Sequence, residues 1–235
     1  MKNQVQSKKA VFNWSGGKDS ALALQKVLNE NEFDVIALLT TFNESNESSS
    51  AHSIPLSLMK QQAKSIGIEL YSIFISETPN DYEHKMREAV KHFKAKGVKH
   101  FIFGDLFLDE IKTYRESKLN PHGIEVVEPL WGNTAEETIH AFFKTGMQAK
   151  IVTTQADKLG ASYIGKTLSQ HLIDQLPDGI DVCGENGEFH TFVYAGDLFQ
   201  KEIKFSLDQP YKLAFDIRLD TGKVKTYEYW QAKFR

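Results

Sequence analysis

Residues 10–14 (AVFNW), 15–20 (SGGKDS) and 21–24 (ALAL) follow one another without interruption. A short apolar run enters a glycine pair and leaves as a helical pattern, which predicts strand, tight turn and helix in succession. Gly16 and Gly17 let a ligand approach the backbone, and the helix start points unpaired N–H groups and a positive dipole end toward it. Lys18 adds a full charge and Ser15 and Ser20 add hydroxyls, so the bend suits phosphate oxygens. Its spacing is neither that of the Walker loop nor that of the dinucleotide fingerprint. The plainer alternative, an ordinary turn with an exposed lysine, leaves the order of the parts unexplained.

Working outward from this bend, strand-length apolar runs alternate with helical patterns. The strand candidates are residues 10–14, 35–41, 70–75, 100–103 and 125–127, and helices are expected over 19–28, 55–66, 81–96, 109–119 and 135–144. That alternation argues for a parallel sheet with crossover helices, an α/β fold. Asn80 with Glu83 and Thr134 with Glu137 have capping-box spacing, and Gly67, Gly97 and Gly146 fall where left-handed helix stops belong. Past Gly146 the pattern changes. Residues 149–154 read as a strand, 166–176 as a helix, and 213–218 with 223–229 as a terminal β-hairpin turning at Asp220, Thr221 and Gly222. A boundary near Leu130 divides the chain into a nucleotide-binding part, 1–130, and a smaller acceptor-binding part, 131–235. Residues 43–50 (NESNESSS) form a polar loop after the second strand, either plainly mobile or placed to close over a nucleotide.

The bulk numbers leave few alternatives. With 235 residues, 41% of them hydrophobic, the chain can bury a core without covalent help. A net charge of −3 gives no general attraction to nucleic acid or to an anionic membrane. A single cysteine, Cys183, excludes an internal disulfide framework and a cysteine-rich zinc site. Residues 1–9 lack the apolar stretch of a secretory signal, and the apolar run around 35–42 is too short to span a bilayer, so a cytoplasmic protein is expected.

SGGKDS after a first strand resembles the PP-loop of the N-type ATP pyrophosphatases, which adenylate a substrate and release pyrophosphate. Further blocks are similar to those of the diphthine–ammonia ligase family: HSIP from His52, Gln62 with Ala63 and Gly67, Gly104 with Asp105, Arg115 with Glu116, PLW from Pro129, and GENGEFHT at 184–191. Together they cover most of residues 9–195. The resemblance implies a five-stranded parallel sheet of the adenine nucleotide alpha hydrolase-like (HUP, Rossmann-like) type, followed by a smaller α/β part. It also implies ATP and Mg2+ as cosubstrates. Eukaryotic and archaeal members usually carry a Glu-Gly-Gly-Glu-aromatic-Glu signature. Here Asn186 replaces one glycine and His190 the final acid, which resembles the bacterial branch, where no diphthamide pathway is expected.

Site expectations follow. Ser15, Gly16, Gly17, Lys18, Asp19 and Ser20, with Gly104 and Asp105 after the fourth strand, would bind the nucleotide. Lys18 would neutralise a leaving pyrophosphate, and Asp19 would orient the metal or simply be an acid in the first helical turn. Asp105 has the alternative of a plain turn residue. Glu185, Glu188 and His190 lie within six residues, where carboxylates and an imidazole can hold ammonium and take its proton; a glycine-rich hairpin with exposed acids is the alternative. His52, Arg115 and Thr191 would contact substrate, although an isolated arginine is more often solvated or paired. Cys183 reads as a small buried residue rather than a sulfur carrier, and the cluster from Lys91 to His100 as a solvated helix end.

Together with these residues, the resemblance to the diphthine–ammonia ligase family implies an ATP-dependent, AMP-forming ligase in which a carboxylate attacks the α-phosphate, pyrophosphate leaves and ammonia displaces AMP. The expected partners are ATP, ammonia and an unidentified carboxylate acceptor, with a homodimer allowed and neither membrane nor nucleic acid. The rivals are a tRNA-modifying ATP pyrophosphatase and an adenine-nucleotide sensor without turnover.

Overall fold

The computed structural model describes residues 7–50, 52–218 and 224–235. The opening apolar run becomes β1 (Lys8–Asn13), and the glycine bend feeds α1 (Lys18–Glu30). Then come β2 (Phe33–Asn43), α2 (Leu56–Ile66), β3 (Leu70–Ile75), α3 (Asp81–Ala95), β4 (His100–Ile102), α4 (Asp109–Leu119) and β5 (Glu125–Val127). These strands form one five-stranded sheet in the order β3-β2-β1-β4-β5, and every pairing in it is parallel. This is the HUP, Rossmann-like architecture that the family resemblance implied, with the parallel sheet and crossover helices that the alternation argued for. The order reverses between β1 and β4, so their carboxyl ends open a crevice there.

Alternation of side chains along β1 divides the core between the faces of the sheet. Phe12 and Trp14 pack with Leu24 of α1 and Met59 of α2, whereas Val11 joins Leu39, Phe93 and Phe101 on the side of α3. The first of these cores continues without a break through Phe142 of α5 (Ala135–Lys144) into Ile151 and Phe192 of the second half. Thr134 and Glu137 make the expected reciprocal capping box at the start of α5. Gly67, Gly97 and Gly146 all carry the expected positive φ.

The second half is a four-stranded sheet, ordered β7-β6-β9-β8, whose pairings are antiparallel. Its strands are β6 (Gln148–Gln155), β7 (Phe189–Ala195), β8 (Leu207–Arg218) and β9 (Val224–Phe234). The terminal hairpin is thus longer than its sequence suggested, and β9 joins it to β6 within one sheet. The expected turn at Asp220, Thr221 and Gly222 lies outside the described residues.

Two local expectations need correction. The helix expected over 166–176 shrinks to α6 (Gln170–Ile173), capped by Ser169. Residues 165–168 instead run along the open half of β6, where Ile151 N donates to Lys166 O and Leu168 N to Ala149 O. Those backbone groups were no longer free for helix bonds. Asn80 has φ 65° and makes no capping bond from its side chain. The turn before α3 is held by Asp81, whose Oδ2 accepts from Ser76 N at 2.8 Å and Ser76 Oγ at 2.9 Å. The polar stretch 43–50 folds back on β2, with bridges from Phe42 to Ser49 and from Ser48 to Pro55.

Candidate active site

A cavity of about 410 Å³ opens at the carboxyl ends of β1 and β4. The glycine bend forms its floor, Leu39 to Thr41 of β2 and Ser49, Ser50 and His52 one wall, and Phe103 to Asp105 another. From the second half, Cys183 to Glu185 and Phe189 to Thr191 close the remaining side. The two motifs singled out in the sequence therefore face one space, although Lys18 of one and Thr191 of the other lie 173 residues apart on the chain, and Val193 N donates to Gly16 O at 2.9 Å beside it.

The bend is braced from within and from β7. Ser15 N donates to Ser20 Oγ, Gly17 N to Ser15 Oγ, and Lys18 N to Thr191 Oγ1 at 3.0 Å. Three amides of the loop are thus held by hydroxyls. Gly16 sits at φ +80°, and a Cβ there would come within 2.9 Å of Gln62 and Met59. Gln62 is fully buried and joins three elements: its Oε1 accepts from Trp14 Nε1 at 2.9 Å, and its Nε2 donates to Gly16 O and Val193 O. In the sequence Gln62 stood out only as part of a family block and was given no role. The available signal was a polar side chain on the apolar face of α2, beside Leu58, Met59 and Ala63, since buried polar groups require partners.

Lys18 is 2% exposed and donates to Asp19 Oδ2 at 2.6 Å and to the carbonyl of Cys183. Burial opposes the charge on Lys18 and raises the carboxyl of Asp19, so the two tendencies conflict. The close contact decides for the charged lysine, pushed up to about 12 by Asp19. The other oxygen of Asp19, Oδ1, is buried and has no hydrogen-bond partner. A divalent cation fits that donor, because Mg2+ takes one or two carboxylates and completes its shell with phosphates and water. No group of three metal-ligating side chains occurs among the described residues, so phosphate oxygens would have to supply further ligands.

Glu185 lines the cavity, and burial raises its carboxyl to about 8. His190 lies against His52, ring centroids 4.4 Å apart and nearly parallel. Burial and then the nearby positive charge of Lys18 lower His190 to about 4. Burial, with His190 next, holds His52 well below its usual value, so both imidazoles are neutral near pH 7. Glu188 departs from its expected place: it does not line the cavity. It is 1% exposed and turned to Lys158, the amide of Asp181 and the side chain of Asn186. The acids of this segment are therefore not the exposed acids of a plain hairpin. The turn before β7 is organised by Asp181, whose Oδ1 accepts from Cys183 N and Glu185 N. Burial pushes the Cys183 thiol up to about 12, and its Sγ donates to Ala135 O, which makes it a packed thiol and not a nucleophile.

Arg115 lines the cavity but is already engaged. It forms a two-pronged pair with Asp105, reaches Glu128 at 3.4 Å, and rests 4.0 Å over the ring of Phe103. Asp105 therefore faces an arginine. A Cβ on Gly104 would stand 3.0 Å from Ser20 Cα and 3.1 Å from its amide nitrogen, so the missing side chain lets the end of β4 seat the start of α1. Gly104→Ala is expected to displace that helix start and weaken ATP binding, at a cost of about 1–3 kcal/mol. Titration calorimetry with ATP and Mg2+, alongside thermal melts that report the fold, checks this; unchanged affinity would contradict it.

The sheet order, the crevice at its reversal and the glycine bend at the first strand together define an α/β protein of the HUP, Rossmann-like class. Residues 8–125 match the diphthamide synthase N-terminal domain and residues 134–225 the diphthamide synthase C-terminal domain, so the chain belongs to the diphthamide synthase family. Among its relatives is the diphthine–ammonia ligase of Homo sapiens, 25% identical over 159 residues, a match covering 65% of this chain and 59% of the human one. The diphthine–ammonia ligase of Rattus norvegicus is 22% identical over 214 residues, covering 80% of this chain and 79% of the rat protein. No helix among the described residues is long and apolar enough to cross a membrane.

Proposed function

We propose that this chain is an ATP-dependent, AMP-forming ligase that adenylates a carboxylate and transfers ammonia to it. The observation that carries the reading is that SGGKDS and the turn before β7 open into one cavity at the sheet's switch point. Membership in the diphthamide synthase family supports it, and the relatives' names supply the ammonia. Residues 1–130 would bind the nucleotide and 131–235 the acceptor.

Ser15 to Ser20 would receive the triphosphate, with the hydroxyls of Ser15, Ser20 and Thr191 keeping the loop amides aligned. Lys18 would balance the charge that gathers on pyrophosphate as the bond to the α-phosphorus breaks, an effect that a closed site strengthens. Bound Mg2+ would neutralise phosphate charge, with Asp19 as its protein ligand. The backbone of Leu39 to Thr41 would border adenine. Gly104 would position the helix start, and Asp105 would hold Arg115 at the cavity wall, beside the acceptor. A carboxylate oxygen of the acceptor takes the α-phosphorus, pyrophosphate departs, ammonia then adds to the acyl carbon and AMP leaves.

Ammonium must lose a proton before it can attack. Glu185, half in its ionised form near pH 8, is matched to that task, and neutral His190 and His52 can accept hydrogen bonds from the ammonium. Glu188 would serve by fixing the turn. Asn186 and His190 stand where the eukaryotic and archaeal signature has glycine and an acid, which supports a bacterial-type member with an acceptor other than diphthine.

Incubation of the protein with ATP labelled in the α- and γ-phosphates, Mg2+, ammonium and a cell extract is expected to release AMP and pyrophosphate. ADP and orthophosphate would refute the reading, and absence of any cleavage would favour a nucleotide sensor. Glu185→Gln should lower ammonia-dependent AMP formation about 100-fold. Wild-type activity should rise as pH passes through about 8, where Glu185 ionises, and that rise should vanish in the variant. The linkage has the opposite sign for stability: a carboxyl raised by folding stabilises the fold below its unfolded value and loses that contribution as pH climbs toward about 8.

A further inference from the structure

Beside the main cavity lies a second, of about 220 Å³, between α3 and α4. The two share Tyr82, Met86, Phe103 and Arg115 in their linings, so these side chains stand between them. Arg115, stacked on Phe103 and tied to Asp105, stands in this partition.

The smaller cavity is apolar within and cationic at its edge. Val90, Met86, Phe103 and Tyr114 supply aliphatic and aromatic surface. Arg87, Arg115 and Lys118 line it against the single acid Glu83, which is paired with Lys118 at 2.7 Å. Arg87 makes no ion pair within 4.0 Å among the described residues. The helices themselves leave the slot unfilled. In α4 only Leu119 is buried, while Ile111 and Tyr114 remain 41% and 42% exposed, and Tyr82 of α3 is 43% exposed. A helix pair packed only for stability would turn these side chains inward.

We propose that this slot receives the apolar body of the acceptor, a free organic acid with an aromatic or branched aliphatic group, whose carboxylate passes the Arg115 partition into the nucleotide cavity. The proposal rests on the acceptor being a carboxylic acid, as argued above. Three observations select this chemistry. The slot adjoins the nucleotide cavity across shared side chains, its walls favour an apolar group over a charged or sugar-like one, and Arg87 on its lining, outside any ion pair among the described residues, favours an anion. A recess of this size suits one compact group.

The test uses the whole protein saturated with Mg2+ and α,β-methylene-ATP, which cannot be split at the inner bond. 3-Phenylpropionate is titrated by calorimetry, with propionate and 3-phenylpropylamine as ring-free and cationic counterparts. Saturable binding of 3-phenylpropionate alone is expected. Ser117→Trp, at a position that lines only the smaller cavity, should weaken it about tenfold or more by filling the apolar space, while the affinity for the nucleotide analogue stays the same. A diazirine derivative of 3-phenylpropionate should label residues 82–90 and 114–122, which decides the matter even if Ser117→Trp fails to fold. Equal binding of propionate, or labelling elsewhere, would overturn the proposal. Failure of methylene-ATP to bind would instead count against the ligase reading, and the labelling experiment can be run without nucleotide.

Discussion

Lys18→Ala is expected to reduce AMP and pyrophosphate formation about 100- to 1000-fold, the usual cost of removing one preorganised charge or donor from the place where transition-state charge gathers. The lysine does more than face the cavity. It links the first strand's bend to the second half through the Cys183 carbonyl, and it is the ion-pair partner of Asp19. Without it the carboxyl of Asp19, which burial already raises, loses the charge that opposes that rise. Asp19 would then hold its proton more readily, and its value as a metal ligand would fall. A single substitution therefore removes one positive charge and weakens the site for another. Lys18→Arg keeps the charge but replaces a compact ammonium with a broad planar fork in a space where the side chain is 3% exposed, so it should restore only part of the activity. Quenched-flow measurement of AMP formed in a single turnover, paired with ATP affinity by calorimetry, separates chemistry from binding. Wild-type AMP formation by Lys18→Ala would defeat the assignment of the loop.

Much of this arrangement was readable before any coordinates, for identifiable reasons. Each parallel strand of the first half is a short apolar run closed by a turn signal, and the helices between them have amphipathic periodicity, so the alternation survives in one dimension. The glycine bend was legible because glycine pair, lysine and helix start are neighbours in sequence. What stayed hidden depends on contacts between distant residues. The helix expected over 166–176 gave way to an edge pairing with β6, which no local propensity reports. Glu188 and Glu185 look equivalent in ENGEFH, yet one is fixed beneath the turn and the other lines the cavity, a difference set by the left-handed bends at Gly184 and Gly187. Arg115 and Asp105 were each read singly, and their pairing with one another, ten residues apart across a turn, was not legible. The brace across the two halves was the largest omission, because its centre, Gln62, looks like any polar residue on a helix.

That brace leads to the second large effect. Gln62→Leu is expected to destabilise the fold by about 2–5 kcal/mol, since burying a polar group without its partner costs about 1–3 kcal/mol each. The indole N–H of Trp14 loses its acceptor, and Val193 O loses a donor at 2.6 Å. Gly16 O keeps the amide of Val193 and so is the least affected of the three. Leucine fills nearly the same space, which means that the loss arises from polar groups rather than from a void. Because one of the freed contacts sits on the glycine bend, to which the proposed function assigns the triphosphate, ATP affinity should fall as well, measurably at temperatures where the variant is still folded. Gln62→Glu discriminates between shape and hydrogen bonding. An ionised carboxylate accepts from Trp14 but has nothing to donate to Gly16 O or Val193 O, whereas the protonated acid supplies one donor. Burial next to two carbonyl oxygens must raise that carboxyl, so the stability of Gln62→Glu should be greatest at acidic pH and decline as the group ionises in the folded state. Urea unfolding of both variants across pH 5 to 8 reads this directly: a flat profile for Gln62→Glu, or a Gln62→Leu protein as stable as wild type, would mean that the two halves are held together without the glutamine.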